Sequence, residues 1–265
     1  MLSTPQRPIG EQLRQWREHR RLSQLDLALL AEVSTRHVSF VETGRAAPSR
    51  DMVLRLAEQL EVPLRERNAL LLSAGFAPAY GESNLDAPHM SAVRDATRQV
   101  LSGHEPYPAV VVDRHWNLVD ANRSVGVFVQ DIPPDLLEPP INVMRVSLHP
   151  RGMAPRIVNL AEWRGHLLHR LRRQVELTAD AALEQLYAEL RSYLGGEASF
   201  TTQPGRGVVV APLRLRHQDA ELAFFSIVAS FGTPIDITVD ELAIEAFYPA
   251  DARTAEVLRA AAAAT

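Results

Sequence analysis

Residues 22–45, Leu-Ser-Gln-Leu-Asp-Leu-Ala-Leu-Leu-Ala-Glu-Val-Ser-Thr-Arg-His-Val-Ser-Phe-Val-Glu-Thr-Gly-Arg, constrain the fold more than any other stretch. Ser23 offers a side-chain oxygen as an N-cap, and Gln24 to Ala31 then form one short helix with Leu27, Ala28 and Ala31 turned inward. Glu32 and Val33 leave room for a tight turn, after which Ser34 caps a second helix running to about Thr43. Val38 and Val41 lie three apart and face the first helix, so Thr35, Arg36, Ser39 and Phe40 are carried outward. A phenylalanine on the outer face of a short helix needs a partner. The groove of a duplex supplies one, since Phe can touch a thymine methyl and Arg can fork onto guanine.

This spacing is that of a helix-turn-helix. Residues 9–76 resemble the DNA-binding domain of the Xre family, a five-helix all-α unit shared with lambdoid phage repressors. The resemblance rests on Leu22-Ser23-Gln24 opening the second helix, Val33-Ser34 entering the third and Glu42-Thr43-Gly44-Arg45 closing it. It implies that Gln24 touches phosphate or a base, that Thr35, Arg36 and Phe40 occupy base-reading positions, and that Arg45 lies against the sugar-phosphate backbone. With Ser34 and Ser39 these form the expected DNA-binding set. The family also pairs an arginine of the first helix with a glutamate late in the third; here these are Arg17 and Glu42, a structural brace rather than readers. The turn position that is often glycine in the family is Glu32, which requires an unusual backbone if the turn is unchanged.

Charge supports a front part that meets phosphate. The net charge is −4, but residues 1–80 hold 11 Arg against 9 acidic residues, whereas 81–265 hold 17 against 23. The front is therefore positive and the remainder negative. Every basic residue is Arg. The chain has no cysteine, which excludes disulfides and thiolate metal sites and fits a reducing compartment. No apolar run resembles a signal peptide, and stretches such as 109–112 and 207–213 are too short to span a bilayer, so a cytoplasmic protein with no membrane partner is expected.

In chain order, residues 1–8 read as a flexible lead and 9–76 as the helix-turn-helix domain. Within it, helices run over about 9–21, 24–31, 34–43, 49–60 and 63–72, with Arg20 or Arg21 either reaching phosphate or lying on solvated surface. Residues 77–104 read as a Pro-rich linker with a short helix near 90–102. From Tyr107 the period changes: Pro108 to Asp120 reads as two strands joined by a tight turn, and Ala121-Asn122 starts a helix. Helical turns follow near 143–148, then amphipathic helices over about 158–177 and 180–193. Strands return at 208–216, 221–231 and 242–248 before a terminal helix over 252–264. The expected second domain, 105–265, is α+β, an antiparallel five-stranded sheet with helices on one face. Pro108-Ala-Val-Val-Val-Asp-Arg-His-Trp116 and Ala121-Asn122 resemble the opening of a PAS domain. A helix-turn-helix head with this tail is similar to the MmyB-like regulators, and the resemblance implies a PAS-like domain that binds fatty-acid-like ligands.

An enzyme is the poorest reading. No Gly-rich phosphate loop joins a strand to a helix, and Gly195-Gly196 and Gly205–Gly207 flank loops only. His166 and His169 lie three apart on one helix but share that face with arginines and no acidic partner, so no metal site is expected. Haem has no singled-out ligand, and light-sensing flavin chemistry would need a cysteine. No cofactor is called for beyond a bound fatty acid or similar apolar ligand. The pocket candidates are Trp116, Asn122, Phe128, His149, Phe225, Phe231 and Phe247, weighed against ordinary core packing for each aromatic and helix capping for Asn122 and His149. Because Phe224 and Phe225 alternate, only one can face a cavity.

These readings imply a homodimeric regulator on a double-stranded DNA operator, tuned by an apolar small-molecule effector. Repression is preferred to activation, since a bound dimer blocks polymerase unaided. The alternative keeps the DNA-binding head but lets the second domain only dimerise or bind a protein partner.

Overall fold

A computed structural model of the chain describes residues 7–178, 180–193 and 212–263. They form two compact units, one running to Asn84 and including Thr233–Asp240, the other made of Leu85–Gly232 and the chain from Glu241 onward.

The first unit is helical: α1 (Ile9–His19), α2 (Gln24–Leu30), α3 (Thr35–Glu42), α4 (Arg50–Gln59) and α5 (Leu64–Ser73). Serine hydroxyls start three of them. Ser23, Ser34 and Ser49 accept from the backbone N–H of Asp26, His37 and Met52, and the Asp26 carboxylate returns a bond to Ser23 N–H at 2.9 Å. All five helices stop at a left-handed residue just past the last turn: Arg21, Glu32, Gly44, Glu61 and Gly75, with φ between 48° and 84°. Glu32, at φ 54°, adopts the unusual backbone that its place in the turn demands. The core joins Leu13, Leu27, Ala28, Val38, Val41, Val53, Leu56 and Leu71, each at most 2% exposed. Arg20 donates to the carbonyls of Leu60 and Glu61 at 2.7 Å, closing the end of α4 rather than facing phosphate.

Two contacts set the position of α3. The Arg17 guanidinium makes two parallel bonds to the Glu42 carboxylate at 2.6 and 3.0 Å, and a third to Leu22 O. Both side chains are nearly sealed from water, and the bond to Glu42 raises the Arg17 pKa despite burial. Gly10, in the first turn of α1, lies so close to the end of α3 that a Cβ there would stand 2.4 Å from Val41 O and 2.6 Å from Glu42 O. Any side chain would push the two helices apart.

α5 begins after Pro63, which has no side-chain cap to offer. The missing acceptor comes from far along the chain: Asp240 Oδ2 accepts from Leu64 N–H at 3.0 Å. The rest of that segment is tied down by Ile237 N–H to Gly81 O at 2.9 Å and Thr238 Oγ1 to Ser83 O at 2.6 Å, with Ile237 buried.

The second unit carries α6 (Ser91–Gly103), the hairpin β1 (Ala109–Val112) and β2 (Leu118–Ala121), α7 (Gly126–Val129), α8 (Val143–Leu148), α9 (Leu160–Thr178), α10 (Ala181–Ser192), β3 (Leu213–His217), β4 (Ala220–Ala229), β5 (Ala243–Pro249) and a terminal helix, Ala252–Ala263. The expected five-stranded antiparallel sheet is present in the order β2-β1-β5-β4-β3. Only part of the strand expected at 208–216 falls among the described residues.

The helices are not confined to one face. Val110, Val112, Leu213, Leu222, Phe224 and Phe247 point toward α8, α9 and α10, while Ala109, Val111 and Ile244 pack with Leu101 of α6 on the reverse. The run Ala-Val-Val-Val of β1, buried at every position, is what a strand covered on both sides requires. Asn122 joins these parts through its amide, accepting from Ala109 N–H at 3.0 Å and donating to Tyr107 O and Leu101 O at 2.7 and 3.2 Å.

Replacing Arg17 with Met should cost about 3–5 kcal/mol, because Glu42 is left charged and unpaired in the core. The double variant Arg17→Met/Glu42→Leu should recover most of that loss, as read by urea unfolding of the full-length protein.

Candidate nucleic-acid interface and ligand cavity

The outer surface of α3 presents a cation–aromatic group. The Arg36 guanidinium stands 5.0 Å from the centroid of the Phe40 ring, and that of Arg45 5.9 Å from it. Both arginines are exposed, whereas Phe40, Thr35 and Ser39 are half-buried. Arg45 is placed by the chain reversal at Gly44 (φ 71°), where its N–H and that of Ala46 both reach Phe40 O. Ser34 uses its oxygen on His37 N–H as the helix cap. Gln24 donates one amide N–H to Glu42 Oε2 at 2.8 Å, so the internal brace also orients it. The surface thus combines two cations able to meet phosphate or guanine with an apolar ring beside them.

A second site lies inside the other unit, on the sheet face turned to α8 and α9. It is a cavity of about 90 Å³ walled by residues including Val110, Trp116, Phe128, Met144, Met153, Trp163, Leu167 and Phe247. Phe128 meets Phe247 and Phe224 edge-on, with centroids 4.9 and 5.3 Å apart. Among the described residues only Ser147 and Glu245 bring polar side chains other than indole to its lining, and the Trp163 indole N–H donates to Ser147 Oγ at 3.0 Å.

Trp116 is delivered to this wall by a strained turn. Its φ of 68° is rare for a bulky residue. The strain is held by Asp113, whose carboxylate accepts from the N–H groups of His115 and Asn117 at 2.8 Å each. The indole N–H of Trp116 donates to Gln174 Oε1 at 2.8 Å, and the Arg170 guanidinium lies 4.3 Å from the ring centroid on its other side. That side faces an open cleft lined by Arg114, His166, His169, Arg170 and Arg173 together with the carboxylates of Asp113 and Glu241. Trp116 is therefore the partition between an apolar interior and a charged exterior. His166 stacks on Trp163 in this wall, and burial, helped by Arg170, lowers its pKa.

Of the pocket candidates, Trp116, Phe128 and Phe247 line the cavity and four others do not. Phe225 projects from the opposite face of β4 and stacks on Tyr248 with centroids 5.3 Å apart, the consequence of its alternation with Phe224. Phe231 packs with Leu101 and Ile244 on that reverse face. Asn122 is committed to three backbone groups. His149 ends α8, its ring edge-on to Tyr193 and its Nδ1 accepting from Arg151 N–H. Met144, Trp163, Ser147 and Glu245 were missed. Glu245 carried a readable signal, as the one charge in the otherwise apolar run from Leu242 to Tyr248.

The family described as MmyB-like transcription regulator ligand binding domain matches residues 93–261, and a helix-turn-helix domain family matches residues 8–70. The chain belongs to the MmyB-like transcription regulators. It is a transcriptional regulator in which a helix-turn-helix DNA-binding domain is joined to a ligand-binding domain. It is also similar to the uncharacterized HTH-type transcriptional regulator RghRB of Bacillus subtilis (strain 168), with 30% identity over 128 residues, 47% of this chain and 84% of that protein. In the MmyB-like chain no helix among the described residues is long and apolar enough to cross a membrane.

The turn bearing Trp116 is anchored by Asp180, which takes bonds from Arg114 and from His115 Nε2 and caps α10 through Ala182 and Leu183 N–H. Burial pushes the Asp180 pKa up, but these bonds outweigh it and hold it at about 2. The unfolded chain titrates near ~4, so this stabilisation is complete above that value and is lost as pH falls toward 2. Asp180→Asn should lower stability at neutral pH and flatten the acid limb of a denaturation profile between about pH 4 and 2.

Proposed function

We propose that this protein is a ligand-responsive repressor that binds a near-palindromic operator as a homodimer. Each α3 enters the major groove, with half-sites about one helical turn (~34 Å) apart. Thr35, Arg36 and Phe40 read base edges, Gln24 and Arg45 steady the protein on the backbone, and Ser34 and Ser39 complete the contact surface. The observation that carries the reading is Phe40 with the guanidinium groups of Arg36 and Arg45 gathered at its ring on the outside of α3. A thymine methyl suits the ring, and the cations suit guanine and phosphate.

The effector is an apolar, fatty-acid-like molecule taken into the cavity behind Trp116. At about 90 Å³ that space is smaller than the ~150 Å³ cavity that admits benzene in an engineered core. A chain-like ligand must therefore part the walls, where Met144 and Met153 supply adaptable side chains. Such a ligand prefers the opened form, and this preference is the physical requirement for shifting a conformational population. β5, which carries Phe247, follows directly after the segment that caps α5. The rival reading, a second domain that only dimerises or binds a protein, gives no role to an aromatic-lined cavity.

Operator fragments selected from genomic DNA provide the test. Arg36→Ala should weaken operator binding by about 1–3 kcal/mol and relax preference at one base pair, with binding to random DNA much less affected. Equal loss on both would rule out base reading. Met144→Trp, which fills the cavity, should leave operator binding intact while abolishing its response to a lipid extract; a retained response would place the effector elsewhere.

A further inference from the structure

Glu245 is a carboxylate in the wall of a hydrocarbon cavity, where its described partner is Arg170 of α9. It lies two residues before Phe247 on β5 and opposite Val110 of β1, both cavity residues, so strand alternation turns it to the same side. Its side chain is 7% exposed. The described bonds to its oxygens come from one group, Arg170 Nη1, at 3.3 Å to each. That is long for a charge-assisted bond, which is usually about 2.7–2.9 Å. A carboxylate offers about four acceptor positions, so Glu245 retains capacity to accept.

The cation of the pair does not share the cavity. Arg170 lies against the far side of the Trp116 ring and lines the open cleft beyond it. A molecule entering the cavity therefore meets the anion of this pair and not the guanidinium. The other polar group, Ser147 Oγ, accepts from the Trp163 indole, which leaves it its O–H and one further lone pair.

We propose that the ligand of this cavity ends in an uncharged hydrogen-bond donor, a hydroxyl or primary amide, received by the Glu245 carboxylate, and that free carboxylates are disfavoured. This rests on the reading of the cavity as the effector site and specifies the polar end of a fatty-acid-like molecule. A ligand carboxylate would place like charges together where little water screens them. An ester or hydrocarbon would enter without repulsion but would leave the acceptor positions of Glu245 unmet. A hydroxyl satisfies one of them, and Arg170 keeps the charge balanced from outside.

The test uses full-length protein freed of lipid on a hydrophobic resin and three probes of one chain length: 1-decanol, methyl decanoate and sodium decanoate. By titration calorimetry, decanol should bind about tenfold tighter than either of the others. In Glu245→Gln, decanoate should approach decanol to within about threefold, because the repelling charge is gone. Decanoate binding as tightly as decanol to the wild type, methyl decanoate matching decanol, or an unchanged gap in Glu245→Gln would each overturn the assignment. Should the variant misfold, the wild-type ranking decides alone. If none of the three binds, the cavity is not the effector site and the head-group assignment falls with it, whereas binding in the wrong order overturns the head group only.

Discussion

A guanidinium–carboxylate pair closed off from water governs the geometry of the outer surface of α3. Arg17 belongs to α1 and Glu42 to the last turn of α3, and the same carboxylate receives Gln24 from α2. One acidic side chain therefore ties three helices together. Leucine or valine contacts are non-directional and would tolerate small rotations of α3 about its axis. The fork of Arg17 onto Glu42 does not, because two parallel bonds fix both distance and plane. Gly10 reinforces this from the other side by allowing backbone to approach backbone at the end of α3. The outward direction of Arg36 and Phe40 follows from contacts that lie on the inner side of the same helix.

The ligand-binding unit relies on irregular features in a comparable way. Its sheet is regular, but the residues that define the cavity come from places where regularity breaks. Trp116 reaches the wall through a left-handed backbone in the hairpin turn, held by Asp113 and backed by the Asp180 network. Phe128 comes from the single turn α7, and Met144 and Ser147 from the six-residue α8. Short elements with few backbone bonds of their own are the parts of a domain that open at least cost. α9 and the sheet supply the firm opposing surfaces, Trp163 and Phe247.

Much of this was legible in the sequence where local rules act. Serine caps, the 3.6-residue stripes of the first five helices and the valine run of β1 each report a short-range preference, and the helices and strands stand close to where those preferences put them. The cavity was legible only in part. Alternation separates Phe224 from Phe225, yet which face holds the cavity depends on α8 and α9, which lie much earlier in the chain. Asn122 stood out as a polar residue at a structural transition, but its amide answers three backbone groups whose positions arise from α6 and β1 folding together. His149 and Phe231 were plausible by type, and topology sets both outside the lining of this cavity. Glu245 was the reverse, anomalous in its strand, with a place in the cavity wall that follows only from the pairing of β5 with β1.

The cap on α5 has a consequence for how such a protein can be divided. Leu64 and Asp240 are 176 positions apart, and the helix that begins at one is completed by the other. A gene fragment ending after the five helices would encode all of their apolar core and still omit an acceptor at the start of the last. The helical unit is thus completed in part by residues 233–240. Its integrity is written partly in the far end of the chain, and recombination that swaps one half for another must carry that short return segment along with it.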